Sequence, residues 1–473
     1  MTDPMSKPIP LQDELPAIIE SLRNPAGDDS RFSTLEAIAA NRTVFTEKAH
    51  ATWKALHNRS LDEILTLERL LSLDERRLPS AMTWYFERCL AIWRRVNDAI
   101  VWALLGYKDH VIRTVCHRKD RLQLASANPN AIRKLLNDLN SDPMTIAIWS
   151  DATTCVDLGD IVCISSSGKP SGFFEVKEGA MNDKIFELMK VKGAPDEIVA
   201  QIETFATTNG PKAIKQLERV VRQRKRYNQI MDIIEEDRGY DPRREAEISI
   251  GESTTQLQSY DKELQTILET AIAEPILRCI DRCLWVYVDR NQDKSPGQKI
   301  LDFEAALNKA SPDTMPWMKE HFAGKLPFDA VLLEGNLNCP ESIPLFLRPL
   351  KTETIRDVLF ECLMHSVYLF LDWKTLGEIV SEQGAELAWS TFKEGRTQQA
   401  KPKAQRLLTI GERVPRIQLS NGRYIAGFSK VYRVFFDGIT PSSIVAQYVE
   451  MLRSPKSCRA ASEETAVPSR RGS

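Results

Sequence analysis

The sequence has no Cys-x-x-Cys pair and no group of cysteines and histidines at zinc-ligand spacing; its nine cysteines and six histidines are scattered. That pattern excludes a zinc-ribbon organisation and a disulfide framework, and it fits a reducing, cytoplasmic setting. Cys279 and Cys283, the closest pair, fall in a stretch that reads as helical, and they are expected as buried thiols. Long apolar runs are also missing. "AIVWALLG" at 99–106 is among the longest and is far short of the roughly 20 residues that span a bilayer, so no membrane partner is expected. The opening residues, MTDPMSKPIPLQDE, hold no apolar segment, and no secretory signal is expected. Strong net charge is the third absence. Lys and Arg number 63 against 65 Asp and Glu, a formal charge of −2, so any nucleic-acid surface has to be a local patch. No internal repeat or long low-complexity tract is present.

What remains is a chain of 473 residues, 42% hydrophobic and 27% charged, the composition of a globular protein with room for two or three domains. Residues 1–30 are rich in proline and polar residues and are expected to be a loosely ordered tail, as is the polar stretch 456–473. Region 31–140 reads as helical, with "LPSAMTWYFERCLAIWRRVNDAIVWALLG" (78–106) as one or two long helices ended by Gly106 and "NPNAIRKLLNDLNSDP" (128–143) as a shorter one.

From residue 141 the pattern changes. "MTIAIW" (144–149) and "DIVCIS" (160–165) read as strands; "SSSGKPSG" (165–172) supplies a turn, and "FFEVK" (173–177) a third strand. Two amphipathic helices are expected within an insertion at 180–210, and a longer helix over about 211–235. A polar loop is expected near 236–256, a helix over 257–282, and a fourth strand in "LWVYVD" (284–289). Region 291–455 reads as a mixed α/β part. There "FDAVLLEG" and "IPLFLRPL" are short strand candidates, and "TETIRDVLFECLMHSVYLFLDW" is a strong helix. The fold class is α/β in the mixed, α+β sense, with a helical N-terminal region, helical insertions and a mixed C-terminal part.

Alternate residues of a strand share a face. Asp160 begins one strand of the expected hairpin, and Glu175 and Lys177 share a face of the other. If the two strands pair, Asp160 stands beside Glu175. Two such carboxylates repel unless a cation lies between them, and oxygen-only ligands suit Mg²⁺. A lysine two residues on can position a metal-bound water or stabilise transition-state charge, which describes a phosphodiesterase site. Asp157 in "DLGD" rivals Asp160, and Asp151 is a weaker contender. Asp98, in "RRVND", is either an acid near the metal or an acid paired with Arg94 or Arg95. The bland reading of Asp160, Glu175 and Lys177 is a half-exposed hairpin with its charges in solvent; apolar neighbours on both faces argue against it.

Asp, a turn, then Glu-x-Lys on successive strands after a helix, here "GDIVCI…FFEVKEG", resembles the PD-(D/E)XK nuclease superfamily over roughly residues 78–290. The resemblance implies a restriction-endonuclease-like α-β-β-β-α-β core, the order read above. It implies that Asp160 and Glu175 bind Mg²⁺ or Mn²⁺ and that Lys177 is the catalytic lysine. RecB-type members carry a Gln-x-x-x-Tyr helix after the Glu-x-Lys strand, matched here by Gln223 and Tyr227. Gln216, Gln223 and Tyr227 fall within about 40° on a helical wheel. The gap from Lys177 to Gln223 departs from the family pattern and requires the 180–210 insertion. On the same helix, Lys215, Arg219, Arg222 and Arg226 follow i, i+4, i+7, i+11, a stripe suited to a phosphate backbone; the alternative is a solvated face.

These readings together describe a Mg²⁺-dependent endonuclease or exonuclease acting on nucleic acid, with DNA favoured. By analogy with the superfamily alone, its setting is restriction or antiphage defence, with a homo-oligomer or a defence-system partner among the expected associations. A catalytically inactive nucleic-acid-binding or assembly protein on the same fold is the alternative. A third reading places effector recognition in 295–455, with the nuclease as its output.

Overall fold

The computed structural model describes residues 11–32, 34–72, 79–116, 123–126, 128–174, 185, 188, 195–241, 246–249, 253–272, 274–321, 330–361, 363–399, 413–426 and 431–454. The chain is mixed helix and sheet. Its N-terminal part comprises α1 (Leu11–Arg23), α2 (Leu35–Ala40), α3 (Arg42–Ser72), α4 (Ser80–Leu104), α5 (Asp109–Val115) and α6 (Pro129–Leu139). Residues 11–23, expected within a loose tail, form a helix instead. Leu11, Leu15, Ile18, Ile19 and Leu22 recur at helical spacing and are all buried. Arg23 ties the helix end down by donating to the carbonyl oxygens of Phe346 (2.7 Å), Leu350 (2.8 Å) and Arg348. Burial of one apolar stripe outweighs the weak helical signal of a segment with an internal Pro16.

The first sheet is an antiparallel meander of β1 (Thr145–Trp149), β2 (Ile161–Ser165) and β3 (Pro170–Phe174) in the order β1-β2-β3. Asn128 caps α6 by accepting from the Ala131 N–H, and Pro129 occupies the first turn, where its missing N–H costs nothing. α6 and α3 pack on this sheet. Ile146–Trp149 and Ile161–Ile164 are consequently buried throughout. A helical segment α7 (Pro195–Glu236) follows, broken at Gly210 (φ 76°) into two arms. Only glycine holds that conformation without strain. The hairpin β4 (Arg238–Asp241) and β5 (Ala246–Ser249) stands where a polar loop was expected.

The remaining elements are α8 (Asp261–Thr270), β6 (Ile276–Ile280), β7 (Leu284–Val288), α9 (Pro296–Ala310), α10 (Thr314–His321), β8 (Val331–Leu332), α11 (Thr352–Phe360), β9 (Val367–Leu371), α12 (Trp373–Glu382), β10 (Glu386–Trp389), α13 (Phe392–Gln399), β11 (Pro415–Gln418), β12 (Tyr424–Ala426), α14 (Val431–Phe436) and α15 (Pro441–Arg453). The helix expected over 257–282 stops at Thr270, and Pro275 precedes a strand. β6 and β7 form a hairpin through the three-residue connection Asp281, Arg282 and Cys283, the first two at positive φ (46° and 67°). The expected fourth strand exists as β7, but it does not join the first sheet. It belongs to a separate antiparallel sheet in the order β6-β7-β9-β8. The segment 352–373, expected as one helix, holds α11, the buried strand β9 and the first residue of α12. "IPLFLRPL" contributes a short 3₁₀ turn at Leu345–Leu347, and "FDAVLLEG" supplies the two-residue β8.

The boundary drawn at residue 290 therefore cuts a sheet that takes strands from both sides of it. Buried apolar side chains from Leu11 to Leu452 form one contiguous cluster. A second, smaller cluster of Ile185, Phe205, Ala213, Leu217 and Val220 lies with the arms of α7.

Candidate active site at the first hairpin

Asp160 sits one residue before β2. Its N–H donates to the Phe174 carbonyl (2.8 Å), and its own carbonyl accepts from the Ser150 N–H (2.8 Å), so its backbone is locked between β1 and β3. The ladder pairs Ile161 with Phe174 and Val162 with Phe173. Gly159, at φ 63°, makes the turn into β2, and a Cβ there would lie 2.9 Å from the Phe174 carbonyl oxygen. The glycine of "DLGD" thus sets the close approach of Asp160 to the end of β3. Asp160 is half-buried at the mouth of the hairpin. Glu175 and Lys177 lie outside the described residues.

The C-terminal arm of α7 reaches this end of the sheet. Tyr227 packs edge-on against Phe173, with ring centroids 5.5 Å apart at 73°. Burial raises its phenol pKa, with the Glu235 charge adding to the effect. One residue earlier, an Arg226 guanidinium nitrogen lies 3.8 Å from an Asp157 carboxylate oxygen, and both side chains are largely enclosed. The Asp157 N–H donates to the Val115 carbonyl (3.1 Å). The structure thus brings Asp157, Asp160, Phe173, Arg226 and Tyr227 to one end of the hairpin. Gln223 is on the same arm, and its side chain lies outside the described residues. Gln216, two turns before it, is half-buried.

Lys215, Arg219 and Arg222 are exposed and have no ion-pair partner among the described residues; the same holds for Lys212, Arg224 and Lys225. Arg226 differs, because it is half-buried and engaged with Asp157. The stripe therefore runs from open solvent down to the hairpin.

Asp98 is wholly enclosed and lies in α4. Its carboxylate pairs with Arg95 at 2.8 Å and accepts from the Thr154 N–H (2.5 Å), the Thr154 hydroxyl and the Cys155 N–H (3.0 Å). With both oxygens so occupied it braces the β1–β2 connection and has no coordination site left for a metal. Asp151 follows β1 and offers its backbone carbonyl to Arg94 (2.5 Å). Among the described residues, no three His, Cys, Asp or Glu side chains converge as a metal group. No described helix is long and apolar enough to cross a membrane.

No family model, curated protein or solved structure matches the chain.

A polar network missing from the sequence reading surrounds the α4 run "RRVND". Arg94 pairs with Glu68 (2.8 Å), Arg95 reaches Asn336 (3.2 Å) and the Ser342 carbonyl (3.1 Å), and Asn97 donates to the Ala152 carbonyl (3.0 Å). Asn97 also accepts from His57 Nδ1 (2.8 Å), whose Nε2 accepts from the Trp149 N–H (3.1 Å). Its signal in the sequence is four polar residues interrupting an apolar helix, which demands internal partners.

Proposed function

We propose that the chain is a metal-dependent nuclease of PD-(D/E)XK type acting on nucleic acid, with DNA the favoured substrate. The observation that carries this reading is the hydrogen bond from the Asp160 N–H to the carbonyl of Phe174. Glu175 follows Phe174 in the sequence, one peptide unit or about 3.8 Å on, and on this proposal the two acids come together at that mouth. The donor set of Asp160 and Glu175 is oxygen only and suits Mg²⁺ or Mn²⁺, which would supply a bound water of lowered pKa. Asp157 already has the Arg226 cation 3.8 Å away, and on this proposal Asp160 is taken over its neighbour as the ligand. Lys177 orients the water, Tyr227 seats the α7 arm on the sheet through Phe173, and Lys215, Arg219 and Arg222 hold the phosphate backbone.

The arrangement departs from the family core in one respect, since β7 lies in another sheet. The reading therefore rests on the hairpin and the α7 arm and not on the full six-element order. The test is cleavage of plasmid, linear and single-stranded DNA, and of RNA, with Mg²⁺ or Mn²⁺. Glu175→Ala and Lys177→Ala are each expected to lower the rate by about 10²-fold or more, with binding retained. Wild-type protein that binds but never cuts makes the chain an inactive nucleic-acid-binding protein. Variants that cut as well as wild type remove Glu175 and Lys177 from the site.

A further inference from the structure

The C-terminal arm of α7 changes its surroundings along its length. At about 100° per residue, Lys212, Lys215, Arg219, Arg222 and Arg226 fall in one sector of about 80°. Ile230 and Ile233, further along, fall in the same sector, and both are fully buried. Ile230 belongs to the main hydrophobic cluster, and Arg226 lies 3.8 Å from Asp157 at the hairpin mouth. One side of the helix therefore faces the body of the protein from residue 226 onward and carries exposed cations from Arg222 back to Lys212. Those cations open on the side of the helix that meets the mouth. The arm is held from another side, where Ala213, Leu217 and Val220 pack in the smaller cluster. From Lys212 to Arg222 the helix rises about 15 Å.

Charge reverses where the arm meets the hairpin. Residues 211–226 hold seven basic side chains against the single acid Glu218. Residues 227–237 hold Asp232, Glu235, Glu236 and Asp237 and no Lys or Arg, and all four acids are exposed. Glu236 has Arg238 at 3.6 Å and Asp237 has His110 at 3.6 Å, whereas Asp232 and Glu235 have no ion-pair partner among the described residues. No aromatic side chain occurs in 211–226, so the stripe lacks a stacking platform for bases and addresses phosphates alone.

We propose that this arm is a one-sided track for a single nucleic-acid strand. Arg222, Arg219, Lys215 and Lys212 hold successive phosphates on one flank of the nucleotide at the hairpin mouth, and α7 holds none on the other flank. At about 3.4 Å of rise per nucleotide of one strand, the stripe spans about four phosphates. Beyond the mouth a strand that followed the helix would run along Asp232, Glu235 and Glu236, and the like charges repel it. The track reads phosphates and not bases, so it is indifferent to sequence. A strand terminus at the mouth gives up no contact with α7, and bonds next to one end of a strand are served as well as bonds in its interior. The inference rests on the nuclease reading for the chemistry at the mouth, and on the arm alone for the binding.

The test titrates full-length Glu175→Ala protein with end-labelled single-stranded DNA of two to sixteen nucleotides, read by fluorescence anisotropy at several salt concentrations. Single strands isolate the contacts made to one backbone. Affinity and the slope of log K against log salt are expected to rise up to about five nucleotides and then to level off, the slope near 3 for four contacts at about 0.7 each. Lys212→Gln with Lys215→Gln is expected to lower that slope by about 1.4 for long strands and to leave two-nucleotide strands within about twofold. Glu235→Lys with Glu236→Lys is expected to move the levelling point to longer strands. A slope that keeps rising past about ten nucleotides, or a lysine pair whose loss weakens every length equally, overturns the track. With wild type and Mg²⁺ or Mn²⁺, cuts are expected up to the last nucleotide at one end of a strand and not within about four nucleotides of the other. Binding that levels off as described, in a wild type that never cuts, removes the nuclease reading and keeps the track. Cutting equally close to both ends, with no levelling in binding, does the reverse.

Discussion

Gly159 shows how a single residue controls the hairpin mouth. Its φ is positive, and a side chain there would bring its Cβ within 2.9 Å of the Phe174 carbonyl oxygen, which leaves no room for one. Gly159→Ala is expected to cost about 1–3 kcal/mol, from backbone strain and displacement of β3. It is also expected to lower cleavage more than the stability loss accounts for, checked by urea titration alongside nuclease assays at matched folded fraction. His57 supplies the second residue-scale prediction. Fully enclosed and hydrogen-bonded on both nitrogens, it has its pKa pushed down to about 4, with burial the leading cause. The unfolded chain takes up this proton near pH 6.5, whereas the folded chain does not until about pH 4, so between these values the unfolded state holds more protons. The stabilisation is complete above pH 6.5 and is lost as pH falls toward 4, by on the order of 3 kcal/mol. Urea midpoints measured across that window should fall for wild type and fall less for His57→Gln.

At the scale of elements, the C-terminal arm of α7 carries two kinds of residue on neighbouring faces. Tyr227 and Arg226 seat it on the sheet through Phe173 and Asp157. Lys215, Arg219 and Arg222 look outward. Replacing Arg219 and Arg222 together by Gln is expected to weaken DNA binding and to reduce the slope of log K against log salt by about 2, close to 1 per phosphate contact. The melting temperature should stay within a degree or two, because neither side chain has an ion-pair partner among the described residues. An unchanged slope would leave the stripe a solvated face. The helical spacing of this stripe was legible in the sequence, and so were β1 and β2. The β6–β7 hairpin was not, since its turn uses Asp281 and Arg282 in place of the glycine or asparagine that normally signals positive φ. β9 was also missed. "VYLFL" is a short apolar run that suits a buried helix or a buried strand equally, and only pairing with β7 decides between them.

Across the whole molecule, α4 is the junction. Asp98 and Asn97 hold the β1–β2 connection, while Arg95, beside them, grips Asn336 and Ser342 from the C-terminal part. A second buried pair, Arg348 with Asp261 at 2.5 Å, joins α8 to the end of the Leu345–Leu347 turn and lies against Gly438, just after α14. Deleting residues 295–455 to test for regulation would strip β8 and β9 from their sheet and expose β7, so point substitutions are the usable tool. The chain's first helix makes the same point. Leu15→Ala in α1, at a fully buried position, is expected to cost about 2–5 kcal/mol. If α1 were a loose tail the cost would be near zero, and thermal or urea unfolding distinguishes the two.

The sequence by itself determined the local vocabulary: where apolar periodicity changes from helical to strand spacing, where Asn128 and Pro129 start α6, and that acids and a basic stripe occur near one turn. Those features depend on neighbours a few residues apart. The tertiary structure decided which strands share a sheet, that β7 leaves the first one, that Asp98 is spent on Arg95 and Thr154, and that Arg226 engages Asp157. Most of these depend on contacts between residues tens to hundreds of positions apart, where burial and pairing override local preference.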